Sequence, residues 1–273
     1  MASNQQAVRT RLAQGVLQLT LNRPECGNAM NLAMVSELRQ ALHSVRDDRQ
    51  CRAIVIQGQG DHFCAGGDLK EMAAAGQRGA NGDDQATFER LNRAYGQLLM
   101  ELNQAPQFIL VLTHGGVLGG GLGLVCVSDL TIAHQNSRLG MPETSLGIPP
   151  AQIAPFVVDR IGLTRARPLA LLARRIEASA ALAMGLVQQL AVDDDDLIQQ
   201  RNHILAELNR CAPAANAVTK ALLLNADQLP RKPLLDLGAR QFAAAVCGHE
   251  GREGTQAFTQ KRRPRWADEP LEV

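Results

Sequence analysis

The period of the apolar positions changes along the chain. Val16 to Leu21 is a short run with the alternation and branching of a strand, and Asn22-Arg23-Pro24 breaks it. Asn31 is placed to cap a helix running through Val45, with Val35, Leu38, Ala41, Leu42 and Val45 at helical spacing. Ala53 to Gln57 reads as a buried strand, and Phe63 to Asp68 as a glycine-rich loop. Gln77 to Asp84 is polar and reads as a surface loop, and Leu91 to Gln104 as a helix. Phe108 to Thr113 is an apolar strand that ends at His114-Gly115-Gly116. Leu122 to Val127 follows as a helix opened by glycines, then Leu130 to Ala133 as a strand. Strand, turn and helix alternate to about residue 135, which predicts layered α/β architecture.

After residue 150 the pattern is nearly all helical. The predicted segments are Pro155 to Ile161, Arg165 to Ala173, Ala178 to Met184, Asp195 to Asn209, Ala214 to Leu224 and Pro233 to Cys247. The acid run Asp193 to Asp196 suits a solvated helix start, where the dipole favours negative charge. No fixed-period repeat and no low-complexity linker is present. The division expected is a core over residues 1–200 and a helical region over 201–273.

Composition narrows the function. Lys plus Arg number 28 and Asp plus Glu 27, a net charge of +1. Without a basic stripe, phosphate-driven nucleic-acid binding is disfavoured. Aromatics are 3% of the chain, too few for base-stacking platforms. The six cysteines (Cys26, Cys51, Cys64, Cys126, Cys211 and Cys247) form no CxxC pair, and free thiols in a reducing cytoplasm are expected. Met1 to Thr10 has no apolar signal core, and the longest apolar-plus-glycine run, Val117 to Val127, is about half a membrane span.

Two glycine-rich segments, 63–70 and 114–124, are the candidate chemistry. The second lacks the spacing and the later acid of a dinucleotide fingerprint, and no GK[ST] phosphate loop occurs. Taken singly, each loop suits tight turns and close packing. As a pair, both follow apolar strands and open onto helices, where free N–H groups point outward. Two such groups can meet on one oxyanion, as stabilising the enolate of a thioester requires. Cys64 has no base beside it in sequence and reads as a packing residue. No GxSxG elbow surrounds any serine. A metal would need His62, His114 and His134 to converge with a cysteine or carboxylate; His62 and His114 both lie beside these loops, so convergence is open, but no metal is expected.

The chain resembles the enoyl-CoA hydratase/isomerase (crotonase) superfamily. The motifs that carry the resemblance occur in family order: Leu21-Asn22-Arg23-Pro24 with Asn28-Ala29-Met30-Asn31, FCAGGDLKEM over 63–72, the G-x-x-x-GGG segment from Gly115 with its trailing Asp129, Pro142-Glu143 before Leu146-Gly147-Ile148-Pro149, and Ala181 to Val187. The resemblance implies a crotonase (ClpP-like) spiral of ββα units, with a helical C-terminal region used for trimers stacked into hexamers. It places the two oxyanion N–H groups on Ala65 and Gly120. It also lines the coenzyme A moiety with Ala65, Gly66, Gly67, Asp68, Leu69, Gly119 and Gly120. Coenzyme A would arrive with the substrate, and no metal or redox cofactor is implied. One of the basic residues Lys261, Arg262, Arg263 and Arg265 would meet a coenzyme A phosphate across a subunit boundary.

Hydratases of the family carry two catalytic glutamates. Glu143 matches one; the other position, GGG-x-E, is Gly123 here. Three readings remain: hydration with Glu143 alone, decarboxylation of a carboxylated acyl-CoA, or thioester binding without chemistry. GGG-x-G together with the stretch Ile148 to Ala154 resembles the branch that hydrates branched glutaconyl-CoA thioesters. Isohexenylglutaconyl-CoA of acyclic terpene breakdown is the expected substrate, with methylglutaconyl-CoA of leucine breakdown the alternative. Arg78, Arg93, His62, His114 and Gln152 are candidate partners for the distal carboxylate.

Overall fold

The computed structural model describes residues 6–68, 70–71 and 84–273. Strands β1 (Val8–Ala13) and β2 (Val16–Leu21) form a hairpin. Its turn residues Gln14 and Gly15 both have positive φ, the geometry that matches strand twist in a two-residue turn. β1 escapes sequence reading because its four central residues are exposed and two are arginines, a protected sheet edge rather than an alternating face. Beyond β2 the sheet is parallel: β3 (Ala53–Gly58), β4 (Phe108–Thr113), β6 (Leu130–His134) and β9 (Gln189–Ala191), in the order β1-β2-β3-β4-β6-β9. The central strands are buried on both faces, hence their unbroken apolar runs.

A second, smaller sheet consists of β5 (Gly116–Leu118), β7 (Arg138–Gly140) and β8 (Arg175–Glu177). Single bridges extend it, Cys64 to Val117 and Met30 to Gly67. The chain therefore winds as a spiral. β2, the Met30 bridge and α1 (Leu32–Val45) form one turn, and β3, the Cys64 bridge and α2 (Asp84–Asn103) the next. β4, β5 and α3 (Gly120–Cys126) follow, then β6, β7 and α4 (Ala154–Leu171). This is the expected ββα spiral. Connections of unequal length hide the repeat from the sequence.

The first helix forms as its spacing predicts. Asn31 Oδ1 accepts the Met34 N–H at 3.0 Å, and Val35, Leu38, Ala41, Leu42 and Val45 are buried. α4 is two helical pieces broken at Gly162, whose φ of 75° only glycine adopts readily. The region after 150 is not wholly helical: β8 and β9 lie within it, three residues each and too short to show a period. α5 (Ala178–Ala183) lies between them. The polar loop predicted from residue 77 falls outside the described residues up to its last position.

α6 (Asp194–Asn209) starts on an Asp193 cap and runs through residue 200. Its Ile204, Leu205 and Leu208 pack under the main sheet with Val16, Val55, Leu110, Ile132 and, from the chain end, Leu271. α7 (Pro213–Leu224) is fastened to the core by Lys220 Nζ, which donates to Asp129 Oδ2 at 2.7 Å and to the Gln107 carbonyl at 3.2 Å. Asp129 also takes the Ile109 N–H, so the aspartate that trails the glycine segment is a strut. α7 and α8 (Arg231–Cys247) bury no residue completely. Leu223, Leu235, Phe242 and Val246 are exposed, as is Phe258 on α9 (His249–Thr259) at 85%. Among the described residues no helix is long and apolar enough to cross a membrane.

Candidate active site

The two glycine segments lie side by side. Cys64 N–H donates to the Gly116 carbonyl at 3.0 Å and Leu118 N–H to the Cys64 carbonyl at 2.9 Å. Side chains would keep them apart: a Cβ on Gly66 would stand 3.4 Å from the Leu118 carbonyl oxygen, and one on Gly121 2.8 Å from the Cys64 Cβ. Cys64 is fully buried, and burial pushes its thiol up to about 11, so it is a neutral packing group.

Ala65 is not a free donor. Its N–H donates to the Gly27 carbonyl at 2.8 Å, which corrects the placement drawn from the resemblance. Two residues on, the Met30 N–H donates to Gly66 O and the Asp68 N–H donates to Met30 O. This pairing turns the Gly67 N–H away from Met30, to the side on which Cys64 meets β5. Among the described residues the Gly67 and Gly120 N–H groups have no hydrogen-bond partner. Gly120 opens α3, where the first N–H groups have no acceptor within the helix.

Glu143 reaches this place from a different turn of the spiral. Pro142 and Gly147 bracket a single 3-10 turn over Glu143–Leu146, which Gly147 ends with a φ of 74°. The half-buried carboxylate stands against Gly119: a Cβ there would lie 2.8 Å from Oε1. Oε2 is buried with no hydrogen-bond partner among the described residues. Burial pushes the Glu143 carboxyl up, its own backbone N–H pulling the other way.

Position 123 is full. A Cβ on Gly123 would lie 2.5 Å from Tyr95 Oη, 2.7 Å from Ile153 Cγ2 and 3.2 Å from Leu99 Cδ1. Position 123 therefore holds no second carboxylate, and a tyrosine hydroxyl lies where its side chain would begin. The single tyrosine is invisible as a site residue in sequence. Its only cue is helical phase with Leu98, Leu99 and Leu102, which marks core.

Arg23 and Asn28 frame the loop, roles their motif alone does not reveal. Asn28, fully buried with a φ of 55°, donates through Nδ2 to the carbonyls of Gln59 and His62 and accepts the Arg23 N–H. Arg23 bonds the Ala29 carbonyl and Asp68 Oδ2, at 2.6 and 2.8 Å. Asp68 Oδ1 takes the Glu71 N–H at 3.0 Å. Both Asp68 oxygens are thus bonded inside the protein, and the Asp68 carboxylate anchors the loop. Burial raises its pKa, but the Glu71 N–H and Arg23 outweigh that and hold it below the ordinary value. Asn28→Ala removes three hydrogen bonds and leaves a β-carbon at positive φ, so it should destabilise the protein by about 3 kcal/mol, read as a lower urea midpoint.

The remaining sequence candidates divide. His62 Nδ1 accepts the Gly116 N–H, His114 Nε2 bonds the Gly60 carbonyl, and His134 Nδ1 accepts the Asn136 N–H, so all three hold loop backbone. Arg93 and Gln152 meet beside Gly96, and Gln152 Nε2 donates to Asn92 Oδ1 at 2.9 Å. Arg262 is held by both oxygens of Glu253, at 2.6 and 3.0 Å, while Lys261, Arg263 and Arg265 are exposed. Leu69, Met72 and Arg78 lie outside the described residues.

Among the described residues the two-sheet spiral presents free main-chain amides beside a carboxylate, an arrangement suited to polarising a carbonyl. The sequence model of the enoyl-CoA hydratase/isomerase family matches residues 11–269. The chain belongs to that family and is an enzyme of hydratase/isomerase type acting on acyl-CoA thioesters. Its structure is similar to that of AtuE of Pseudomonas aeruginosa, with 55% identity, a TM-score of 0.92, and 96% of this chain and 100% of that one covered. It is also similar to an enoyl-CoA hydratase/isomerase from Marinobacter aquaeolei, at 47% identity and a TM-score of 0.92, covering 96% and 99%. A probable enoyl-CoA hydratase of Rhodobacter capsulatus is 34% identical, over 94% of this chain and 96% of that one.

Proposed function

We propose that the enzyme adds water across the 2,3 double bond of a branched, carboxylated enoyl-CoA. The carrying observation is the Glu143 carboxylate lying against Gly119, its Oε2 without a hydrogen-bond partner among the described residues, next to the free amides of Gly67 and Gly120. The thioester oxygen sits on those two amides, which gather its charge as C3 is attacked. Glu143 takes a proton from water and returns it to C2. Gly67 replaces Ala65 as the first donor. Gly66, Gly119 and the backbone of the loop line the coenzyme A arm, where glycine permits close approach. Coenzyme A enters as part of the substrate, and neither a metal nor a redox cofactor takes part.

Isohexenylglutaconyl-CoA is the preferred substrate, with methylglutaconyl-CoA the alternative. The supports are the Gly123 position and the stretch Ile148 to Ala154. Arg93 and Gln152 receive the distal carboxylate. The reaction takes place in the cytoplasm, in keeping with six free cysteines. The C-terminal helices associate in trimers or trimer pairs, covering Leu223, Leu235, Phe242 and Phe258. The test is mass spectrometry after mixing the enzyme with each thioester. Addition of one water is expected. Loss of carbon dioxide would establish the decarboxylase reading instead, and binding without turnover a non-catalytic thioester carrier.

A further inference from the structure

Tyr95 packs its half-buried ring on the core from α2, and its hydroxyl donates to the Gly120 carbonyl. A Cβ on Gly123 would lie 2.5 Å from Oη, and one on Gly120 3.5 Å from it. One hydroxyl therefore occupies the start of the space a side chain at 123 would fill, against the residue that offers the second oxyanion amide. A phenol has one proton to give and two lone pairs. The proton is committed to Gly120 O, so any further bond Oη makes is as an acceptor. Burial, with a smaller contribution from the charge of Glu143, holds the phenol pKa well above its ordinary value, so Tyr95 is no base.

We propose that Tyr95 Oη accepts a hydrogen bond from the attacking water and aims its lone pair at C3, an assignment that rests on the hydration reading above. The water gives its other hydrogen to Glu143. As the C3–O bond forms, that O–H bond breaks to Glu143 and the double-bond pair shifts onto the thioester oxygen. The pair then returns, and Glu143 protonates C2. One water is added and Tyr95 ends unchanged.

Tyr95→Phe removes one oxygen and keeps the ring. Hydration kcat on whichever glutaconyl-CoA the wild type turns over should fall about 10- to 100-fold. A second reaction separates the roles. Exchange of the C2 protons of 3-methylglutaryl-CoA in deuterium oxide needs the amide pair and Glu143, but no attacking water. It should stay within about twofold of the wild-type rate, since a hydroxyl that acts only on water leaves enolisation alone. Unchanged hydration overturns the proposal. So does a parallel loss of exchange, which would mean that Tyr95 acts only by holding Gly120. Since the chain has 1 tyrosine, growth on 3-fluorotyrosine alters Tyr95 alone. Its weaker acceptor oxygen should slow hydration and spare exchange, and equal hydration rates would count against the assignment. A wild type that exchanges deuterium yet hydrates neither thioester overturns the hydration reading itself, whatever the variants do.

Discussion

Glu143→Gln should lower hydration about a hundred- to ten-thousand-fold, the usual weight of a positioned acid–base group, while leaving thioester affinity essentially unchanged. Gln keeps the shape of the side chain and loses only its capacity to carry the proton. The same substitution should raise the melting temperature. Burial raises the Glu143 pKa, so ionising it is harder in the folded chain than in the unfolded one. Its contribution to stability is intact below the unfolded value and is lost as pH rises through the folded value. At neutral pH the wild type therefore carries a strained carboxylate that Gln removes. Activity has the opposite sign: the base must be ionised, so kcat/KM climbs with pH through the raised value. That limb should vanish in the Gln variant's residual rate. A variant of undiminished turnover, or one that melts below the wild type, would contradict the assignment.

Gly123→Glu, which writes the family's second acid back into the chain, should fail to restore it. The new side chain would begin 2.5 Å from Tyr95 Oη and 2.7 Å from Ile153 Cγ2, in a buried part of α3. Overpacking together with an unpaired buried charge should destabilise the protein by about 3 kcal/mol or more. Urea unfolding measures this directly. Adding Tyr95→Ala opens the same space, so the double variant should lose less stability than the two single losses summed. Strict additivity would show that the two positions do not compete for one volume.

Much of the fold is legible because local and global preferences agree. The Asn31 cap, the phase of α1 and the apolar parallel strands each have a signal inside one window of sequence. The three-residue strands β5, β7, β8 and β9 do not, because a period needs more positions than they contain. The site shows the same boundary. Glu143 and the glycine segments are readable as residue types with a chemistry. Which amide is free is a different kind of fact. Ala65 and Gly67 differ by two positions in one loop, and only the Gly27 carbonyl, brought in from another turn of the spiral, distinguishes them. Tyr95 is hidden for the same reason: its meeting with Gly120 and Gly123 is tertiary.

In the proposed site the atoms that polarise the thioester belong to the main chain. Replacing side chains one by one through the two glycine segments removes none of those hydrogens, so an alanine scan there reports on fit and folding and is silent about the groups that matter most. Exchanging single peptide links for esters, which deletes one hydrogen and keeps every side group, is the intervention that would make residues 67 and 120 audible.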